Sequence, residues 1–202
     1  MATPLIRIGL TGSLASGKTS AARSFKKCGC AVFDADEVAR KLLAKESPVY
    51  RRFCRKFGSA YLKPDGSVNR AKVAEAVFGR PALRRQLTRM IHPEVLRRAE
   101  AFVVRCRKSG VRAAVLDAPL LFESGMDRMT DVTVVVSSDL KRIFSRVRRR
   151  GISLSLAKKI LKTQWPDARK RKRADFVVRN SGTLKQLNKI IKEVFQAILK
   201  SA

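Results

Sequence analysis

The stretch GLTGSLASGKTS, residues 9–20, limits what this chain can fold into more than any other. Gly12, Gly17, Lys18 and Thr19 have the spacing G-x-x-x-x-G-K-[ST], in which backbone N–H groups of a loop and of the helix behind it surround a phosphate. That loop requires a strand before it and a helix after it. Leu5 to Thr11 is an apolar, strand-like run, and residues 18–28 carry Ala21, Ala22 and Phe25 on one helical stripe. The candidate nucleotide-binding residues are therefore Gly12, Ser13, Leu14, Ala15, Ser16, Gly17, Lys18, Thr19 and Ser20. Lys18 would neutralise the β/γ oxygens of a nucleotide, and the Thr19 hydroxyl would hold Mg2+.

The other 190 residues of the 202 supply a frame for such a loop. Short apolar runs at 31–33, 111–117, 131–136 and 176–178 read as strands. Helical patterns fall at 37–44, from Pro48 onward, and at 70–79, 81–107, 139–150, 153–164 and 184–199. Strands alternating with helices predict an α/β fold: a three-layer, P-loop NTPase-type core with a parallel sheet. The core would comprise 1–36, 108–138 and 174–202. The helical stretch 37–107 interrupts the rhythm as an inserted acceptor subdomain, and 139–173 forms a basic helical lid.

A chain with 45 Lys and Arg against 16 Asp and Glu, net charge +29, seeks polyanions: nucleic acid, anionic membrane or a phosphate-rich ligand. The charge is concentrated, since 14 basic residues stand in 141–173 against the single acid Asp167. Aromatic residues make up 6% of the chain, so stacking platforms for single-stranded nucleic acid are scarce. No run of about 18 apolar residues predicts a membrane helix. The N-terminus lacks the pattern of a secretory signal, so Cys28, Cys30, Cys54 and Cys106 are expected as reduced thiols in a cytoplasmic protein. Cys28-x-Cys30 does not have zinc spacing.

The phosphate loop alone does not say what receives the phosphate. A metal-side acid is needed at another strand end, and RAAVLD supplies Asp117, which could instead cap a helix. No Asp is followed by Gly three places on, which removes the GTPase pattern. A small-molecule kinase needs a base for an acceptor hydroxyl, an acceptor subdomain and a water-excluding basic lid. Asp36, expected at the end of the second strand, is the candidate base, while Asp34 suits a helix cap. Arginines on 139–150 could clamp the moving phosphoryl group.

Seven patches in order along the chain resemble the dephospho-CoA kinase family: the opening loop, VFDADEVAR (32–40), DGSVNR (65–70), IHPEV (91–95), DAPLLFESG (117–125), DVTVVV (131–136) and ADFVVRNSG (174–182). The resemblance implies transfer of the ATP γ-phosphate to the ribose 3′-hydroxyl of dephospho-CoA, with Mg2+, as the last step of coenzyme A biosynthesis. It implies Asp36 as base, Lys18, Arg146 and Arg150 as the other catalytic groups, Thr19 and Asp117 on the metal, and Asn69, Arg70 and His92 with Asp36 on the acceptor side. His92 precedes Pro93, which points to a helix junction. Ser13 and Ala15 stand where the family usually has glycine, and Ile143 where it usually has glutamine. The alternatives are a kinase for another nucleotide or an ATP-binding, nucleic-acid-associated protein. The expected partner is dephospho-CoA alone, on a monomer or small homo-oligomer, with nonspecific polyanion binding as a side effect of charge.

Overall fold

Strand β1 (Ile6–Gly12) sits in the middle of a five-stranded, all-parallel sheet with β2 (Ala31–Asp34), β3 (Ala113–Asp117), β4 (Val132–Ser137) and β5 (Phe176–Arg179), in the order β2-β3-β1-β4-β5. These come from a computed structural model that describes residues 4–201. Alternate residues of β1 serve the two faces, as strand geometry dictates. Ile6, Ile8 and Leu10 join Val115, Val134, Val136 and Val178 in a core with helices α1 (Lys18–Lys27) and α9 (Leu184–Ser201). Gly9 points the other way, where a Cβ would lie 2.8 Å from Leu121 Cδ2. Phe33 of β2 meets Phe102 on that face, with ring centroids 5.5 Å apart. A sheet covered on both faces explains why its strands read as nearly continuous apolar runs.

The chain divides into two compact units: the first is the described residues up to Asp34 together with those from Ala99 onward, and the second is Ala35–Arg98. The second unit contains α2 (Ala35–Leu42), α3 (Pro48–Phe57), α4 (Arg70–Gly79) and most of α5 (Pro81–Lys108). Ser47 caps α3, with Pro48 in its first turn, by accepting the Tyr50 N–H at 2.9 Å. Phe53, Val68 and Val73 form its small core, and Phe57 stacks on Phe53 at 4.8 Å. Asp65 accepts the Ser67 N–H at 2.7 Å in the expected turn, where Gly66 has φ +78°. The junction expected at His92–Pro93 is absent: α5 runs through Pro93 as one helix of 28 residues. Pro93 removes one N–H from the ladder, and the rest of a long helix carries that loss.

In the first unit, α6 (Leu140–Arg149) and α7 (Leu154–Thr163) pack as a hairpin around Ile143, Val147 and Ala157. Asp139 and Ser153 cap them, accepting the N–H groups of Arg142 at 2.8 Å and Leu156 at 3.2 Å. A further helix, α8 (Asp167–Arg173), has no counterpart among the helices read from the sequence. Its seven residues DARKRKR carry no apolar stripe, so periodicity could not find it.

Candidate active site

The phosphate loop leaves β1 at Gly12 and enters α1 at Lys18. Its shape depends on close approach. A Cβ on Gly12 would lie 2.5 Å from the Val136 carbonyl oxygen, and one on Gly17 (φ +107°) would lie 2.0 Å from Asn180 Nδ2. That amide holds the loop by donating to the Ser16 carbonyl at 2.7 Å. Leu14 donates its N–H to Gln164 Oε1 at 3.2 Å, and Ser16 donates its N–H to the Ser13 carbonyl at 3.1 Å. Ala15, where the family usually has glycine, has φ 56°. Its methyl is buried beside Ile143 and Val147, so the strain of a left-handed alanine is offset by packing against the hairpin.

Helix α1 has no side-chain cap and no acid in its first turn, so its leading N–H groups and its dipole are left for an anion. Ser16 Oγ is buried with no hydrogen-bond partner among the described residues. Lys18 Nζ forms a buried ion pair with Asp117, side-chain exposures 13% and 3%, across 99 positions of sequence. The sheet register explains the meeting: Asp117 ends β3 opposite Leu10 of β1 on one side and Asp34 of β2 on the other. The glycine cradle, the orphaned hydroxyl and the lysine suit a nucleotide polyphosphate. Thr19, exposed on the first turn of α1, and Asp117 are the protein oxygens suited to Mg2+, which takes few protein ligands and completes its shell with phosphate and water.

Arg146 of α6 reaches this loop. Its Nη1 donates to the carbonyls of Ala15 at 3.2 Å and Ser16 at 3.1 Å, and its Nη2 donates to the Asn180 carbonyl at 3.2 Å. Burial, reinforced by Arg142 and Arg150, lowers the guanidinium pKa from its ordinary value, while Asp139 opposes the shift. Arg150, one turn on, is exposed at the C-cap of α6. The structure therefore brings together the loop, Lys18, Asp117 and Arg146.

Asp36, Asn69, Arg70 and His92 belong to the second unit. Asp36 does not end the second strand as expected. The strand stops at Asp34, and Asp36 is an exposed residue in the first turn of α2, where the helix dipole favours negative charge. Asn69 caps α4 by accepting the Lys72 N–H at 3.1 Å, and Arg70 donates to the Arg40 carbonyl at 3.2 Å.

Several residues around the loop escaped the sequence reading. Asn180 and Gln164 act on loop backbone, which no spacing rule encodes. Lys170, the second residue of RKRKR (169–173), is fully buried. Glu123 is its ion-pair partner at 3.1 Å; Trp165 stacks with Phe122 (ring centroids 6.0 Å apart), and the Arg169 guanidinium lies 3.6 Å from the centre of its ring. For Lys170 no local signal exists, because its neighbours are all basic.

A parallel sheet, a glycine-bearing phosphate loop after its central strand and a lysine–aspartate pair at the strand ends define a P-loop nucleotide site of the phosphotransferase kind. The sequence model of the dephospho-CoA kinase family matches residues 6–186. A dephospho-CoA kinase of Bacillus licheniformis is 37% identical over 179 residues, covering 88% of this chain and 89% of that protein. A crystal structure from Thermus thermophilus superposes with TM-score 0.80 at 31% identity, covering 96% of this chain and 97% of that one. The dephospho-CoA kinase of Campylobacter jejuni superposes with TM-score 0.68 at 26% identity, covering 96% and 98%. The chain belongs to the dephospho-CoA kinase family.

Proposed function

We infer that this chain is an ATP-dependent dephospho-CoA kinase, moving the γ-phosphoryl group to the ribose 3′-hydroxyl of dephospho-CoA. The observation that carries the reading is the buried Lys18–Asp117 pair beside a cradled phosphate loop, in a chain that belongs to this family along most of its length.

The loop and the first turn of α1 hold the β-phosphate through backbone N–H groups. Lys18, paired with Asp117 here, is placed to meet the β/γ oxygens, and Thr19 and Asp117 are the residues that would hold Mg2+. Mg2+, when bound, neutralises charge on the β- and γ-phosphates. Arg146 keeps the Ala15 and Ser16 carbonyls turned toward α6, so that the loop N–H groups face the nucleotide. Asp36 accepts the proton of the 3′-hydroxyl as that oxygen forms its bond to phosphorus. The bond from phosphorus to the β-phosphate oxygen breaks, and ADP leaves with its electron pair. Arg150, exposed on the hairpin, meets the transferring group when the basic lid covers the site. Asn69, Arg70 and His92 serve the acceptor side, the first by shaping α4. No helix among the described residues is long and apolar enough to cross a membrane, and the proposed setting is the cytoplasm, with dephospho-CoA as the partner.

The test is a coupled assay with ATP, Mg2+ and dephospho-CoA on wild type and Asp36→Asn. Coenzyme A formation is expected, and the variant is expected to lose about 100-fold or more in kcat with its fold intact. Full activity in the variant removes Asp36 as the base. Faster turnover of AMP or UMP than of dephospho-CoA overturns the acceptor.

A further inference from the structure

Helix α8 carries a lysine that the reaction described above does not use. Lys170 is fully buried, although it stands in a run of basic residues, 169–173. A buried ammonium is costly unless charge and hydrogen bonds compensate it. Lys170 Nζ donates to the Pro119 carbonyl and lies 3.1 Å from Glu123 Oε1. The same carboxylate oxygen accepts the backbone N–H of Trp165 at 2.7 Å. Glu123 Oε2 is buried without a hydrogen-bond partner among the described residues, so the carboxylate depends on this lysine for its charge balance. Burial pulls the ammonium pKa down, and Glu123 works against that shift.

Stability alone is a poor reason for such a pair, because apolar residues of similar volume commonly replace buried ion pairs at no cost. What the lysine touches offers a better one. The Pro119 carbonyl also accepts Thr11 Oγ1 at 3.2 Å, and the Ala118 N–H donates to the Leu10 carbonyl at 3.0 Å. Thr11 immediately precedes Gly12 of the phosphate loop, and Pro119 lies two residues beyond Asp117. One carbonyl thus joins the loop strand, the segment after the strand-end acid, and α8. Asp167 secures α8 at a second point, accepting Ser137 Oγ at 2.7 Å from the end of β4.

We propose that Lys170 is a positioning residue for phosphoryl transfer: it pins the Pro119 carbonyl and thereby holds Asp117 where it meets Lys18 and the metal side of the nucleotide. This assignment rests on the kinase reading, and its test separates the two. Lys170→Met, Glu123→Gln, the double variant and the exposed control Lys172→Met are compared by urea unfolding, by MgATP affinity in calorimetry, and by kcat with separate KM values for ATP and dephospho-CoA. Lys170→Met is expected to lose about 10- to 100-fold in MgATP affinity and kcat, the range typical of groups that orient a metal-side ligand, with the dephospho-CoA KM within about twofold. The double variant, which holds no lone buried charge, regains stability but neither affinity nor kcat. Glu123→Gln keeps the Lys170–Pro119 bond and loses stability rather than affinity, and Lys172→Met matches wild type. If Lys170→Met or the double variant matches wild type in affinity and kcat per folded molecule, the lysine only neutralises Glu123 and the proposal is overturned. If Lys170→Met does not fold, the double variant decides on the same readouts. If the wild type makes no coenzyme A, the kinase reading falls, while the MgATP affinities still judge Lys170.

Discussion

Replacing Gly17 with alanine would put a methyl 2.0 Å from Asn180 Nδ2, on a residue whose φ is +107°. Two costs follow. The backbone conformation is strained for an L-residue by about 1–2 kcal/mol. The Asn180 amide must also leave its 2.7 Å bond to the Ser16 carbonyl; that oxygen keeps Arg146 Nη1 at 3.1 Å, but the buried amide donor is left unpaired at a cost of about 1–3 kcal/mol. Gly17→Ala is therefore expected to destabilise the protein by about 3 kcal/mol in total. In an Asn180→Ala background the clash is gone and the hydrogen bond has already been lost, so the same substitution is expected to cost only the strain, about 1–2 kcal/mol. The two single substitutions thus share one loss, and the double-mutant cycle is sub-additive by about 1–3 kcal/mol. Urea unfolding of the four proteins, followed by circular dichroism, measures each arm. Strictly additive costs would refute the argument that Gly17 is glycine because Asn180 occupies the space of its side chain.

Two further substitutions probe other parts of the frame. Ala15→Gly relieves about 1 kcal/mol of strain but gives up a buried methyl worth about 0.8 kcal/mol and adds about 0.5 kcal/mol of unfolded-chain entropy. Its urea midpoint should therefore correspond to a net change within about 1 kcal/mol of zero, and a loss above about 2 kcal/mol would contradict the offset. Asp131→Asn removes the partner of Arg7, whose guanidinium holds the Asp131 carboxyl below the usual carboxylate range. Because the folded pKa is the depressed one, the contribution is present above the unfolded value of about 4 and is lost as pH falls through the folded value. The pair is about one-third or more exposed on each side, so the difference between wild type and variant should be about 0.5–1 kcal/mol at pH 7, shrinking toward zero in urea titrations as the folded carboxyl becomes protonated.

Some features of this protein were legible in local sequence because their causes are local. The spacing of Gly12, Gly17, Lys18 and Thr19 encodes a strand–loop–helix, and apolar runs ending in Asp117 and Val136 encode strands of a sheet buried on both faces. The turn at Asp65-Gly66 and the helix start at Pro48 were likewise written in neighbouring residues. From these, together with the order of seven patches, the fold and the family were readable. Other features belong to tertiary structure alone. Whether Asp36 ends a strand or opens a helix depended on where β2 stopped, which the sheet register decides at Asp34 opposite Asp117. Arg146 is one of six basic residues in 141–150, and only the packing of Ile143 and Val147 against Ala15 aims it at the loop. Lys170 looks like its solvated neighbours until Glu123, 47 residues earlier, and the Pro119 carbonyl surround it. Local pattern reports propensity and periodicity. Which of many similar charges is buried, and against what, is set by groups far apart in sequence that meet only when the sheet and its helices are assembled.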